Sequence, residues 1–218
     1  MKKLVWLGIG LVVAGIIVTI FLGTSQQNST VNEADHIHEV TGETGNIPEK
    51  VIGNPDTAKV VLYEYADYGC SHCAEWNKTL NNLIKEYPDE LAIVFRSYDL
   101  GYKNGKTVAL AATSAQLAGY WKEYKDLLFA NQAEWFYADN EELEEFLIDY
   151  FVEASDGKGN VEEFLASMSS DMVEKRVEFE NGMGKKVKLR GTPTFRIGGK
   201  TMNPVDLLEA IHAKIDES

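Results

Sequence analysis

The sequence predicts an α/β domain made of a βαβ half and a ββα half with a block of helices inserted between them, preceded by an apolar N-terminal helix. Three observations carry this reading. A continuously apolar run at residues 60–65 is followed by a helical pattern and a second apolar run at 91–98. Strand, helix and strand within about 40 residues form a parallel pair with a right-handed crossover. Residues 107–181 repeat apolar side chains at i, i+3 and i+4, the helical period. Strands then return at 190–197 and 200–202 around Gly198-Gly199, and a final amphipathic helix opens at Pro204.

Ahead of the domain, Lys2 and Lys3 precede an uncharged apolar run at residues 4–22. That suits a transmembrane helix of about 20 residues and exceeds a signal-peptide core of about 7 to 15. No Lys or Arg follows until Lys50. The positive-inside rule therefore places the amino terminus in the cytoplasm and the body outside, as a single-pass cell-membrane protein with a signal anchor at 1–23. Gly23 and Ser25 form a small-x-small pattern, and cleavage there would release a secreted form. No cysteine stands just after the apolar run, which dismisses a bacterial lipoprotein anchor. Residues 24–46 are polar and Gly/Thr-rich and read as a flexible tether to a domain at 47–218. The net charge is −13, and the chain beyond Lys2 and Lys3 carries −15. So acidic a body excludes nucleic acid and anionic membrane surfaces as partners, since both favour basic patches.

Within the domain, Gly53-Asn54-Pro55-Asp56 is a turn. The run at 60–65 is too continuously apolar for a half-exposed strand and suits one covered on both faces; Glu64 is out of place in it. The helix beginning at Cys70 reaches about Tyr87 and stops at Pro88. The helical insertion occupies about 103–186. It is Ala-rich at 107–118, has an aromatic face with Trp121, Tyr124 and Phe129, and continues through 141–154, 161–168 and 171–181. Trp121, Trp135, Phe136 and Tyr137 read as core, and the acidic residues of these helices as solvated faces. The last helix would bury Val205, Leu208, Ile211 and Ile215. No G-x-G-x-x-G, P-loop or H-E-x-x-H occurs.

The chemistry concentrates in Tyr68-Gly69-Cys70-Ser71-His72-Cys73, which holds both cysteines of the chain. A buried strand, a short loop and a C-x-x-C at a helix start form a setting for thiol redox chemistry. A structural disulfide, half of a zinc site and two inert thiols are the alternatives. A bridge across so short a loop constrains the unfolded chain little, and no second ligand pair completes a zinc site. At the helix N-terminus Cys70 meets unpaired N–H groups and the positive dipole end, which favour a thiolate nucleophile. Cys73, one turn on, lies on the same face, more buried, and fits the resolving role. His72 between them adds a partly protonated imidazole that further stabilises the Cys70 thiolate. Glu64 beneath Cys73 is a candidate proton acceptor whose pKa burial would raise. In the tether, His36 and His38 offer two ligands for a weak metal site. With the thiols they define a competing reading as a non-enzymatic copper chaperone. No resident metal or other cofactor is expected beyond a redox-active Cys70–Cys73 disulfide.

Glu64-x-x-Asp67-Tyr68-x-Cys70-Ser71-His72-Cys73 closing a strand resembles the DsbA-like branch of the thioredoxin superfamily. So do Gly191-Thr192-Pro193-Thr194-Phe195 opening a late strand, and the helical block between the halves. The likeness covers roughly 47–216, with Ser71 where proline is common and Thr192 where some oxidases have valine. It implies a thioredoxin fold and a cis Thr192–Pro193 bond facing the cysteines, with the backbone before the proline pairing with an extended client. It also implies an extracytoplasmic thiol-disulfide oxidoreductase that forms disulfides in extended or unfolded exported proteins. A membrane quinone-linked thiol oxidase is the implied re-oxidant. An isomerase or reductase on the same site, and an adaptor that holds clients without redox turnover, are the variants.

Overall fold

The computed structural model describes residues 40–42 and 45–217. The expected anchor at 1–23, most of the tether, His36 and His38 lie outside them. Among the described residues no helix is long and apolar enough to cross a membrane. The first of these residues form an antiparallel pair, β1 (Val40–Gly42) and β2 (Gly45–Ile47). Both strands begin inside the stretch read as tether, 24–46. A pair this short needs few apolar residues, so its composition passes for linker. Next comes β3 (Lys50–Ile52), a strand unmarked in the sequence because it opens on a lysine and is brief.

The frame follows as expected: β4 (Val60–Ala66), α1 (Ser71–Glu86) and β5 (Leu91–Ser97). The insertion is α2 (Gly105–Leu117), α3 (Trp121–Ala130), α4 (Gln132–Trp135), α5 (Asn140–Ala154), α6 (Val161–Met168) and α7 (Asp171–Lys186). The chain closes with β6 (Thr194–Ile197), β7 (Lys200–Met202), a 3-10 turn at Pro204–Asp206 and α8 (Leu207–Asp216). The five-stranded sheet has the order β3-β5-β4-β6-β7; β4 and β5 are parallel and the other neighbours antiparallel.

β4 is central and covered on both faces, which is why its sequence is apolar without alternation. Val60 and Leu62 pack with Leu80 and Leu83 of α1 and with Leu207, Ile211 and Ile215 of α8. Tyr63 and Tyr65 face the opposite way, against Met183 and Phe179 of α7. Val205 does not join the buried face of the last helix. It is 86% exposed and Leu207 takes the place instead, because the tighter 3-10 turn at Pro204 shifts the helical phase. The insertion packs in one cluster with Cys70, Cys73 and Phe95, and within it the rings of Phe151 and Phe164 stack 4.1 Å apart. Trp121 and Trp135 are buried in it, whereas Tyr137, expected there, is 81% exposed because it lies beyond the end of α4.

A buried ion network also departs from the solvated faces expected of the helices. Glu180 Oε1 accepts from Lys50 Nζ (2.6 Å) and Arg176 Nε (2.9 Å), and its Oε2 accepts from the Ser97 amide (2.9 Å). Glu49 is shared by Arg96 Nη2 (2.8 Å) and Arg176 Nη2 (2.5 Å). Burial alone would push the Glu180 carboxyl up, but Lys50 and Arg176 hold it at about 2. The network ties β3 and the segment before it to α7 and the sheet.

Candidate active site

β4 delivers the chain to a loop organised by Asp67. Its Oδ1 accepts from the Gly69 amide (2.8 Å), its Oδ2 from the Leu100 amide (2.6 Å), and its carbonyl from the Cys70 amide (3.0 Å). Burial pushes the Asp67 carboxyl up, and the two amide hydrogen bonds oppose it. Gly69 is small for a reason. A Cβ there would stand 2.9 Å from a ring carbon of Tyr102 and 3.0 Å from one of Phe136.

Cys70 is the N-cap of α1, and no acidic side chain occupies the first turn. Its thiol donates to the backbone carbonyl of Thr192 (3.4 Å), and the Thr192–Pro193 bond is cis. Both cysteines are free thiols. Cys70 is 6% exposed, while Cys73 is completely sealed. Burial pushes the Cys73 thiol well up, and the nearby Thr192 side chain opposes that push. The Thr192 hydroxyl is buried and has no hydrogen-bond partner among the described residues.

Four of the six residues singled out in the sequence therefore meet: Cys70, Cys73, Thr192 and Pro193. His72 stands on the exposed side of α1, its Nδ1 3.3 Å from Glu75 Oε2. Glu64 lies one layer down. Strand register sets it beside Phe95 and Phe195. Those rings mark the sheet face beneath α1, since Phe95 packs in the cluster of Cys73 and Phe195 against Trp76. Glu64 is 4% exposed and its Oε1 has no hydrogen-bond partner among the described residues. Burial raises its pKa to about 7, and the Lys125 ammonium pulls in the other direction.

Lys125 was not anticipated. It sits on the buried face of α3, where it donates to Asn77 Oδ1 of α1 and to Asp126 Oδ1 (2.7 Å). Asp126 also accepts from Asn77 and Asn81, each at 2.8 Å. The signal was present: Lys125 falls in line with Trp121, Leu128 and Phe129, an i, i+4, i+7, i+8 stripe, and a cation in such a stripe marks a polar contact inside the core. Among the described residues no group of three or more His, Cys, Asp or Glu is arranged to hold a metal.

A dithiol at a helix start, facing a cis X-Pro bond across a mixed sheet with a helical insertion, defines a DsbA-like thiol-disulfide oxidoreductase. The family is thioredoxin: a thioredoxin family model matches residues 45–217, and the chain belongs to that family. The chain is 26% identical over 214 residues to the probable disulfide bond formation protein D of Bacillus cereus, covering 93% of this chain and 92% of that one. It is also 29% identical over 152 residues to the Na(+)/H(+) antiporter NhaA of Herminiimonas arsenicoxydans, but spans only 22% of that protein's length. Among solved structures, oxidised BdbD from Bacillus subtilis superposes with a TM-score of 0.66 at 19% identity, covering 77% of this chain and 93% of that one. The thiol-disulfide exchange protein alpha-DsbA2 from Wolbachia pipientis gives 0.63 at 17% identity, with 78% and 86% covered. At such identities the structures speak for the fold.

Proposed function

We propose that the chain is an oxidase that forms disulfides in extended, exported proteins outside the cytoplasm, held at the membrane by residues 1–23. The observation that carries the reading is the asymmetry of the two thiols: Cys70 caps a helix and faces Thr192, whereas Cys73 is sealed. A client thiolate attacks Cys70 Sγ, the Cys70–Cys73 bond breaks, and Cys73 leaves. A thiol pushed up by burial takes a proton readily, and Glu64, titrating near neutrality in the layer below, supplies it. A second client thiolate then attacks the client sulfur of the mixed disulfide and releases Cys70 at the positive end of the helix dipole, where developing negative charge is favoured. Two electrons and two protons pass from client to enzyme. A quinone-linked thiol oxidase in the membrane restores the disulfide. His72 adds positive charge beside Cys70 when protonated. The backbone at Thr192, before Pro193, pairs with the extended client.

The likeness to a probable disulfide bond formation protein over nearly its whole length supports the oxidising direction. The test is the equilibrium of the Cys70/Cys73 couple against a glutathione buffer. An oxidase gives a potential near or above about −180 mV, whereas a value near the −270 mV of thioredoxin overturns the oxidising direction in favour of a reductase. Cys70→Ser abolishes turnover; retained activity in that variant would point to an adaptor.

A further inference from the structure

We infer that Gln132 is a positioning residue for thiol exchange, a bracket through which the helical insertion holds the loop that presents Cys70. The inference rests on the thiol-exchange reading above. Gln132 Nε2 donates to two carbonyls of that loop, Tyr68 O at 2.5 Å and Cys70 O at 3.0 Å. The second acceptor belongs to the reacting cysteine itself.

The bracket is itself braced. Gln132 opens α4, a helix of one turn. At the other end of that turn Asn104 Nδ2 donates to Trp135 O (2.8 Å), Phe136 O (3.3 Å) and Ala138 O (3.2 Å). Trp135 is completely buried and its Nε1 donates to Leu128 O (2.8 Å). Phe136 closes on Gly69 from the same side. One end of α4 therefore grips the loop by hydrogen bonds and the other by a ring, while Asn104 and Trp135 prevent the turn from sliding.

The consequence is electrostatic as well as geometric. The carbonyls of Tyr68 and Cys70 flank the sulfur that becomes an anion when the disulfide opens. Donors placed on them offset their negative ends and keep Cys70 at the mouth of α1, where the helix amides favour that anion. Removing the donors leaves the dithiol state less favourable while the neutral disulfide is little affected.

The experiment uses the protein with Gln132→Met, which keeps length and loses both donors, and the near-isosteric Gln132→Glu, which turns the donor into a carboxylate. The equilibrium constant with glutathione and the melting temperatures of the oxidised and reduced forms are measured for each. The expected result is a shift of about tenfold toward the disulfide in Gln132→Met and a larger one in Gln132→Glu, with the reduced form losing more melting temperature than the oxidised. A wild-type equilibrium constant in both variants, or an equal fall in the two melting temperatures, overturns the inference and leaves Gln132 structural. Should Gln132→Met fail to fold, Gln132→Glu carries the test. Failure of the wild-type protein to exchange with glutathione at all would instead strike the functional reading.

Discussion

The thiol of Cys70 donates across 3.4 Å to the backbone carbonyl of Thr192, a residue 122 positions away. This contact joins the two halves of the fold at the point where chemistry takes place. The βαβ half supplies a helix mouth and the ββα half supplies the backbone before Pro193. In the proposed reaction a client sulfur arrives between them. The side chain of Thr192 opposes the upward push of burial on the other cysteine, so one residue bears on both sulfurs.

Thr192→Val keeps the shape and removes the hydroxyl that counters the upward push of burial on Cys73. A hydrogen bond to a charged group contributes about 1.5 to 3 kcal/mol, so attack by Cys73 on a mixed disulfide at Cys70 should slow by about tenfold or more. Rapid-quench trapping of the mixed disulfide with a cysteine peptide reads this directly. An unchanged resolution rate would remove the hydroxyl from the chemistry.

Glu64→Gln should flatten part of the pH dependence of stability. The folded-state pKa is raised to about 7 from an ordinary 4.5. Below 4.5 both states hold the proton. As the pH rises toward 7 only the unfolded state releases it, so stability falls through that window and levels off above it. The loss is about 3 kcal/mol at most. Urea titrations at pH 4.5 and 8 should show a smaller difference for Glu64→Gln than for the wild type, together with slower release of Cys73 near neutral pH.

Lys125→Met removes the one cation that pulls the Glu64 titration down. The Glu64 carboxyl should then titrate above 7, as followed by carbon-13 NMR of the labelled side chain. The same substitution strips Asn77 and Asp126 of a donor, so a stability loss of about 1 to 3 kcal/mol accompanies it. A titration unmoved, or moved downward, would mean that the ammonium does not reach Glu64.

Glu180→Gln leaves Lys50 and Arg176 without the carboxylate that both contact. Breaking a buried ion pair from one side costs about 3 to 5 kcal/mol, or about 10 °C in a chain of this size. The wild type carries the acid signature of the same group. Its carboxyl is held at about 2, so the stability it provides is present above the ordinary 4.5 and drains away as the pH falls toward 2. Thermal melts at pH 7 and 3 should converge for the variant relative to the wild type.

Much of this site was legible in the linear order of residues. Cys70 and Cys73 with the strand before them and the helix after them form a local unit, and so do Gly191 to Phe195. A contiguous stretch carries its own apolar period and breakers, so β4, α1 and β5 fall within a residue or two of where those patterns place them. Residues that act across elements were not legible. Glu180 falls among the acidic residues that read as a solvated face, and the approach of Lys50 from 130 positions away makes it part of a buried network. Gln132 is an ordinary polar residue until α4 is laid against the loop.

Local pattern alone determined the class of fold and singled out the candidate thiol pair, because periodicity, caps and a C-x-x-C spacing are properties of neighbouring residues. Tertiary structure decided the electrostatics of that pair. The pKa values of Glu64 and Cys73, the hydroxyl of Thr192 on Cys73 and the grip of Gln132 on the Cys70 loop all depend on how far water is excluded and which dipoles face inward. Those quantities arise only when segments distant in the chain pack together.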